Sequence, residues 1–256
     1  MELLEKQKMP LWDYVILTAS NESQAQSYRM QIQYRLDHGM LPKSIHYAVL
    51  PDPDGKRVGS GGATLNVLRY IYQDAGSFDD KRILVIHSGG DSKRVPQYSA
   101  CGKLFSPVPR LLPNGRRSTL FDEFMISMCG VAARIRAGML VCSGDVLLLF
   151  NPLQIDFYGS GAAALSIKEP AEIGKNHGVY RVDEQGNVGG FLHKKTVDQL
   201  HELQAADENG NVDIDTGAVI MDTDLLKALY KLVDTPEQFD AYVNENTRLS
   251  FYADFL

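Results

Sequence analysis

Cysteine is scarce in this chain. The 256 residues hold three, Cys101, Cys129 and Cys142. There is no CxxC and no His/Cys cluster at zinc-ligand spacing, which speaks against a disulfide framework or a structural zinc site. Cys129 and Cys142 lie in apolar runs, so buried thiols in a reducing, cytoplasmic setting are expected. Long apolar runs are missing too. None approaches the ~20 residues of a membrane span, and the opening MELLEKQKMP holds no signal-peptide core. No membrane contact is expected. Positive charge is also short: 26 basic residues face 32 acidic ones, for a net charge of −6. A broad nucleic-acid surface is therefore not expected, although a local basic pocket is compatible with that balance.

Two catalytic signatures are absent. There is no GxSxG, and Gly102-Lys103 is followed by leucine, so the GxxxxGK[ST] phosphate loop is not met. The lack of an evident nucleophile leaves one large class of chemistry open. Phosphoryl and nucleotidyl transfer need no covalent enzyme intermediate, because alignment and charge neutralisation suffice.

What is present reads as an ordinary globular α/β protein. Apolar residues make up 44% and charged residues 23%, and the length allows a sizeable core in one large domain or two small ones. Apolar runs at 13–18, 46–50, 83–86 and 138–142 alternate with helical stretches. That order predicts a mostly parallel sheet covered on both faces. Asn21 caps a helix closed by Gly39, whose many polar residues predict a wet or ligand-contacting face. A second helix carries Leu65, Leu68 and Ile71 on one side. A third, long helix is expected from Ser118 or Thr119 to about Arg136. After residue 175, GVYRVD and NVGGFLH joined by EQGN predict an antiparallel hairpin, and DIDTGAVIM (213–221) a further strand.

Chemistry concentrates after the 83–86 strand. It runs into His87-Ser88-Gly89-Gly90, then Lys93 and Arg94, with Lys103 nine residues beyond the arginine. Strand, glycine-rich turn and spaced cations suit a polyphosphate: backbone N–H groups cradle oxygens and the cations offset their charge. A second glycine-rich turn, Gly59-Ser60-Gly61-Gly62, enters the second helix. It is a ready anion site, or else a tight loop that lets the helix pack. Asp145 follows a buried strand in SGD, at the strand end where such sheets bind ligands. It would hold Mg²⁺ against phosphates or cap a turn. Asp213 and Asp215 share one face of their strand and call for a metal, a basic partner or solvent. Lys194, in His193-Lys194-Lys195 at a strand end, would meet a sugar phosphate or stand as surface charge.

GGDSKRVPQYSACGK resembles the signature of sugar nucleotidyltransferases, GGxGTRLxPxTxxxPK, with Asp-Ser-Lys for x-Gly-Thr and Gly102 for proline. DPDGKRVGSGGATL, HSGGDSKRVPQYSACGK, SGDV, NHGVY, FLHKK and DTGAVIM, in this order across residues 10–225, resemble the fucose-1-phosphate guanylyltransferase family. That family includes the pyrophosphorylase part of bifunctional fucokinase/GDP-fucose pyrophosphorylases. FLHKK departs from the family's more usual lysine-proline pair.

The resemblance implies a Rossmann-like nucleotidyltransferase fold with a central mixed, mostly parallel sheet. It implies a single such domain over residues 1–256, as the N-terminal part of a longer protein. The implied reaction converts GTP and β-L-fucose 1-phosphate to GDP-L-fucose and pyrophosphate, with Mg²⁺. Carried over by position, Gly89 and Gly90 would hold the nucleotide's phosphates, and Arg94 and Lys103 would absorb charge on the α-phosphate and departing pyrophosphate. Gly59, Ser60, Gly61 and Gly62 would lie against the nucleotide. Asp145 would bind Mg²⁺ with Asp215 as a second carboxylate, and Lys194 would meet the sugar phosphate. Two alternatives stand beside this reading: transfer to another sugar phosphate, and a non-catalytic nucleotide-sugar-binding regulatory protein.

Overall fold

β-branched and large apolar residues fit a pleated surface buried on both sides, and the apolar runs become strands where that pattern predicts them. The structure, a computed structural model, describes residues 11–88, 102–155, 157 and 160–255. Its strands are β1 (Tyr14–Ala19), β2 (His46–Pro51), β3 (Arg82–His87), β4 (Pro107–Leu111) and β5 (Arg117–Thr119). They continue with β6 (Gly138–Ser143), β7 (Ala162–Pro170), β8 (Gly178–Val182), β9 (Val188–His193) and β10 (Asn211–Met221). The main helices are α1 (Glu22–Asp37), α2 (Gly59–Ala75) and α3 (Leu120–Cys129).

β2, β1, β3 and β6 lie side by side in that order, all parallel. β10 enters antiparallel, pairing with β6 through Ala218–Met221 and with β8 through Asp213 and Ile214. β7 runs along the length of β10, and β9 closes a hairpin with β8. The sheet is therefore mixed, as the resemblance implies. β4 and β5 form a separate small hairpin around the turn that PNG dictates.

Side chains alternate across the strands. Val15 and Leu17 face a layer with Tyr28 and Ile32 of α1 and Phe121 and Met125 of α3. Ile16 faces the opposite layer, with Leu65, Leu68 and Ile71 of α2. Burying each such Leu, Ile or Phe contributes roughly 1.5–3 kcal/mol, so the two layers clamp the sheet from both sides. Among the described residues, no helix is long and apolar enough to cross a membrane.

One local expectation is corrected. The third helix stops at Cys129 rather than near Arg136, and Val131–Ala133 forms a 3-10 turn. Gly130 stands at the break with ordinary helical φ and ψ; glycine is a poor helix former, and a Cβ there would sit 2.9 Å from Pro152 Cβ. α1 has the wet face expected of it, with Gln26, Gln33 and Asp37 exposed, while two of its polar residues turn inward. Gln24 and Arg35 are buried, Gln24 accepting from the Ser20 N–H at 2.8 Å and Arg35 reaching Asp122 of α3.

Candidate active site

Four parallel strands in a row open their carboxyl ends at one edge, where α/β sheets take ligands. A cavity of about 310 Å³ lies there. Thr18 and Ser20 line it at the end of β1, Asp52 just past β2, and His87 and Ser88 at the end of β3. Ser143 and Asp145 come from the end of β6, Gly59 and Ser60 from the start of α2, and Lys103 from the loop after β3. Arg57 and Tyr252 complete the wall.

Lys103 and Asp145, 42 residues apart, meet in this cavity. Lys103 Nζ lies 3.4 Å from Asp145 Oδ2, with side chains 41% and 53% exposed. An ion pair that open to water is worth about 0–1 kcal/mol, so it would yield readily to a phosphate and a cation. Ser143 Oγ donates to Asp145 Oδ1 at 2.8 Å and holds the carboxylate at the strand end. Magnesium keeps several waters and takes one or two protein carboxylates beside substrate phosphates. Asp145 fits that role. Among the described residues there is no cluster of three metal-ligating side chains.

Asp215 does not line the cavity. Its Oδ1 accepts from Tyr180 Oη and from the Gly217 N–H, both at 2.8 Å. The β10 ladder shifts register between Asp215 and Ala218. Gly217 has φ +72° in that bulge, and a Cβ on it would come within 2.8 Å of Ser143 Cβ. Asp215 is thus engaged at the β10 bulge, next to the glycine that packs on Ser143. Asp213 has the basic partner its position called for: Lys168 Nζ at 3.5 Å, with Ser166 Oγ donating at 3.0 Å.

The glycine-rich turn at 59–62 divides. Gly59 and Ser60 reach the cavity. Gly61 abuts Leu249 and Gly62 abuts Val58. Lys194 sits apart from the cavity, exposed at the end of β9 with φ +49°, its N–H donating to His177 O at 2.9 Å. Gly89, Gly90 and Arg94 lie outside the described residues. The flanking positions share one anchor, Tyr28. Its Oη donates to Ser88 O at 3.0 Å, and the same phenol fills the place a side chain at Gly102 would take.

Sequence reasoning missed Asp52, Arg57, His87 and Tyr252. His87 is held between Thr18 Oγ1, 3.1 Å from Nδ1, and Thr64 Oγ1, 2.9 Å from Nε2. Thr64 spends its hydroxyl proton on Ser60 O at 2.9 Å. Nε2 therefore carries the hydrogen and Nδ1 accepts from Thr18. Burial pushes the imidazole down to about 4, so it is neutral at pH 7. Burial pushes Asp52 up to about 6, against the Val58 N–H and the Arg57 guanidinium. Burial, then Asp215, Cys142 and Asp145, raise the Tyr252 phenol. Asp52 and Arg57 sit in DPDGKRV, where the turn signal masks a site, and His87 ends an apolar run, with Ser88 between it and Gly89-Gly90. A shifted titratable group in a cleft is the signal for such residues, and it exists only once the chain is folded.

A family model described as the fucose pyrophosphorylase domain matches residues 75–256. A bifunctional fucokinase/GDP-fucose pyrophosphorylase of Arabidopsis thaliana is 32% identical over 248 residues, covering 83% of this chain and 23% of that protein. A fucose-1-phosphate guanylyltransferase of Mus musculus is 30% identical over 277 aligned residues, covering 96% of this chain and 46% of that protein. One of Homo sapiens is 30% identical over 218 residues, covering 78% and 35%. The chain spans less than half the length of each of these relatives.

Proposed function

The chain belongs to the fucose pyrophosphorylase domain family, and on that premise we propose that it transfers a guanylyl group from GTP to β-L-fucose 1-phosphate. An oxygen of the sugar phosphate attacks the α-phosphorus of GTP. The bond from that phosphorus to the bridging oxygen breaks, and pyrophosphate leaves with the electron pair. No proton has to move and no enzyme nucleophile is needed, which suits a site built from cations, hydroxyls and a carboxylate.

One observation carries the reading: Lys103 and Asp145 side by side in a strand-end cavity. Lys103 would bind the oxygens on which charge grows, as a preformed cation in a recessed site. Asp145, steadied by Ser143, would hold Mg²⁺, which when bound neutralises phosphate charge. Arg94 would be a second cation beside Lys103, with Gly89 and Gly90 cradling phosphate. Gly59 and Ser60 would contact the nucleotide from the cavity wall. Asp215 would support the metal side from behind Gly217, and Lys194 would serve the sugar phosphate. Free thiols at Cys129 and Cys142 support a reducing, cytoplasmic setting.

The test is a product assay with four nucleoside triphosphates and several sugar 1-phosphates. GDP-fucose and pyrophosphate formed from GTP and fucose 1-phosphate is the expected result. Lys103→Ala should lower kcat by ~10²-fold or more, as removal of one transition-state charge partner does. Turnover within threefold of wild type would remove Lys103 from the mechanism. Binding of GDP-fucose with no pyrophosphate release from substrates would instead mark a regulatory protein.

A further inference from the structure

Glycines at a helix N-terminus let something come close, and at α2 that something is this chain itself. The Gly61 N–H donates to Leu249 O at 2.8 Å. A Cβ on Gly61 would sit 2.8 Å from Leu249 Cβ and 3.1 Å from its carbonyl oxygen. A Cβ on Gly59, which has φ +77°, would overlap the same oxygen. Two residues on, the Phe251 N–H donates to Ser60 Oγ at 2.9 Å, and the Phe251 ring is fully buried in the α2-side core. Segment 249–252 is thereby fastened to the glycine-rich turn by two backbone donors, one running each way.

The same segment holds a second element. Tyr252 Oη donates to Gly217 O at 2.9 Å. Gly217 is the bulge residue whose N–H bonds Asp215 and whose backbone packs on Ser143. Ser143 in turn holds Asp145. A residue nearly two hundred positions from Ser60 thus bridges α2 and β10, and its side chain lines the same cavity as Ser60 and Asp145.

We propose that segment 249–252 is a built wall of the nucleotide site and that Tyr252 is a positioning residue, setting the width of the cavity between the α2 turn and Asp145. This rests on the guanylyltransferase reading. The wall shapes the ground-state pocket, so its loss weakens nucleotide binding more than it slows the chemical step. That separates Tyr252 from Lys103, whose loss acts on kcat.

The experiment compares wild type, Tyr252→Phe and Gly61→Ala by calorimetric titration with GTP, by steady-state kinetics and by thermal unfolding. Tyr252→Phe removes one oxygen, and Gly61→Ala pushes Leu249 away from a residue outside the cavity. Both should raise Kd and KM for GTP by ~10-fold, a larger change than in kcat, while the folded state persists. The loss of one well-made hydrogen bond is of that order. Alanine favours the helix interior over glycine, so weaker binding by Gly61→Ala reports the displaced wall, not a damaged helix. A purely structural role would lower Tm and the active fraction and leave KM untouched, which would overturn the inference. GTP binding by both variants at the wild-type Kd would also overturn it, with the guanylyltransferase reading intact. Failure of wild type to bind any nucleotide would overturn that reading itself. If Gly61→Ala does not fold, Tyr252→Phe decides the matter.

Discussion

His87 stands between two hydroxyls with its charge removed by burial, and Asp52 lies in the wall of the same cavity with its charge disfavoured. Their pH effects have opposite signs. The His87 imidazole lies at about 4 when folded against 6.5 when free. Between those values the unfolded chain binds a proton that the folded one refuses, so the stability present above pH 6.5 is lost as pH falls toward 4. Asp52 lies at about 6 when folded against 3.8 when free. Its contribution is present below pH 3.8 and lost as pH rises through 6. The two slopes oppose each other across the shared window, so wild type should look flatter than either single variant implies. In Tm measured from pH 7 to 4, His87→Gln should lose less than wild type on acidification, and Asp52→Asn should lose more. Curves parallel to wild type for both would contradict these protonation states. In the sequence His87 was visible only as the end of an apolar run, in His87-Ser88-Gly89-Gly90, and not as a site residue. Its neutrality was not visible, because that depends on Thr18 and Thr64 closing over it.

At the scale of elements, α1 and α3 are tied by one buried fork. Arg35 Nε and Nη2 donate to Asp122 Oδ1 and Oδ2 at 2.7 and 3.0 Å, and Nη2 donates to Thr119 Oγ1 at 3.0 Å. The side chains are 4% and 7% exposed. Asp122 also closes the capping box of α3 with Thr119. Burial raises the Asp122 carboxyl, but Arg35 and Thr119 outweigh that and hold it below its ordinary value. Arg35→Leu would leave that carboxylate buried without its cation, a change that costs about 3–5 kcal/mol. Urea unfolding checks it, and a loss under ~1 kcal/mol would show that water reaches Asp122. The start of α3 was legible in the sequence, since Thr119 caps it. Its end was less so, because the need for glycine at 130 comes from Pro152, 22 positions away.

At the scale of the whole molecule, the strand order decides which loops meet. With β2, β1, β3 and β6 parallel and adjacent, loops far apart in sequence share one cavity, and a ligand there touches most of the fold. Ligand binding should therefore stabilise the molecule as a unit. GTP at about 100 times its Kd should add ~2.7 kcal/mol, seen as a rise in Tm of ~5–11 °C for a protein of this size. ATP at the same concentration should do less. Equal shifts for the two nucleotides would contradict guanylyl specificity.

Local patterning was enough for the alternating α/β order, the strand ends and the choice of Lys103 and Asp145 as site residues. Those depend on local rules: period-two burial, glycine punctuation, and a carboxylate just past an apolar run. It took the folded arrangement to leave Asp215 and Lys194 out of the cavity lining and to bring Tyr252 into it. That arrangement also decided that Gly61 receives Leu249. Such facts come from register, a bulge and contacts between distant segments, where close packing chooses neighbours that no window of sequence contains.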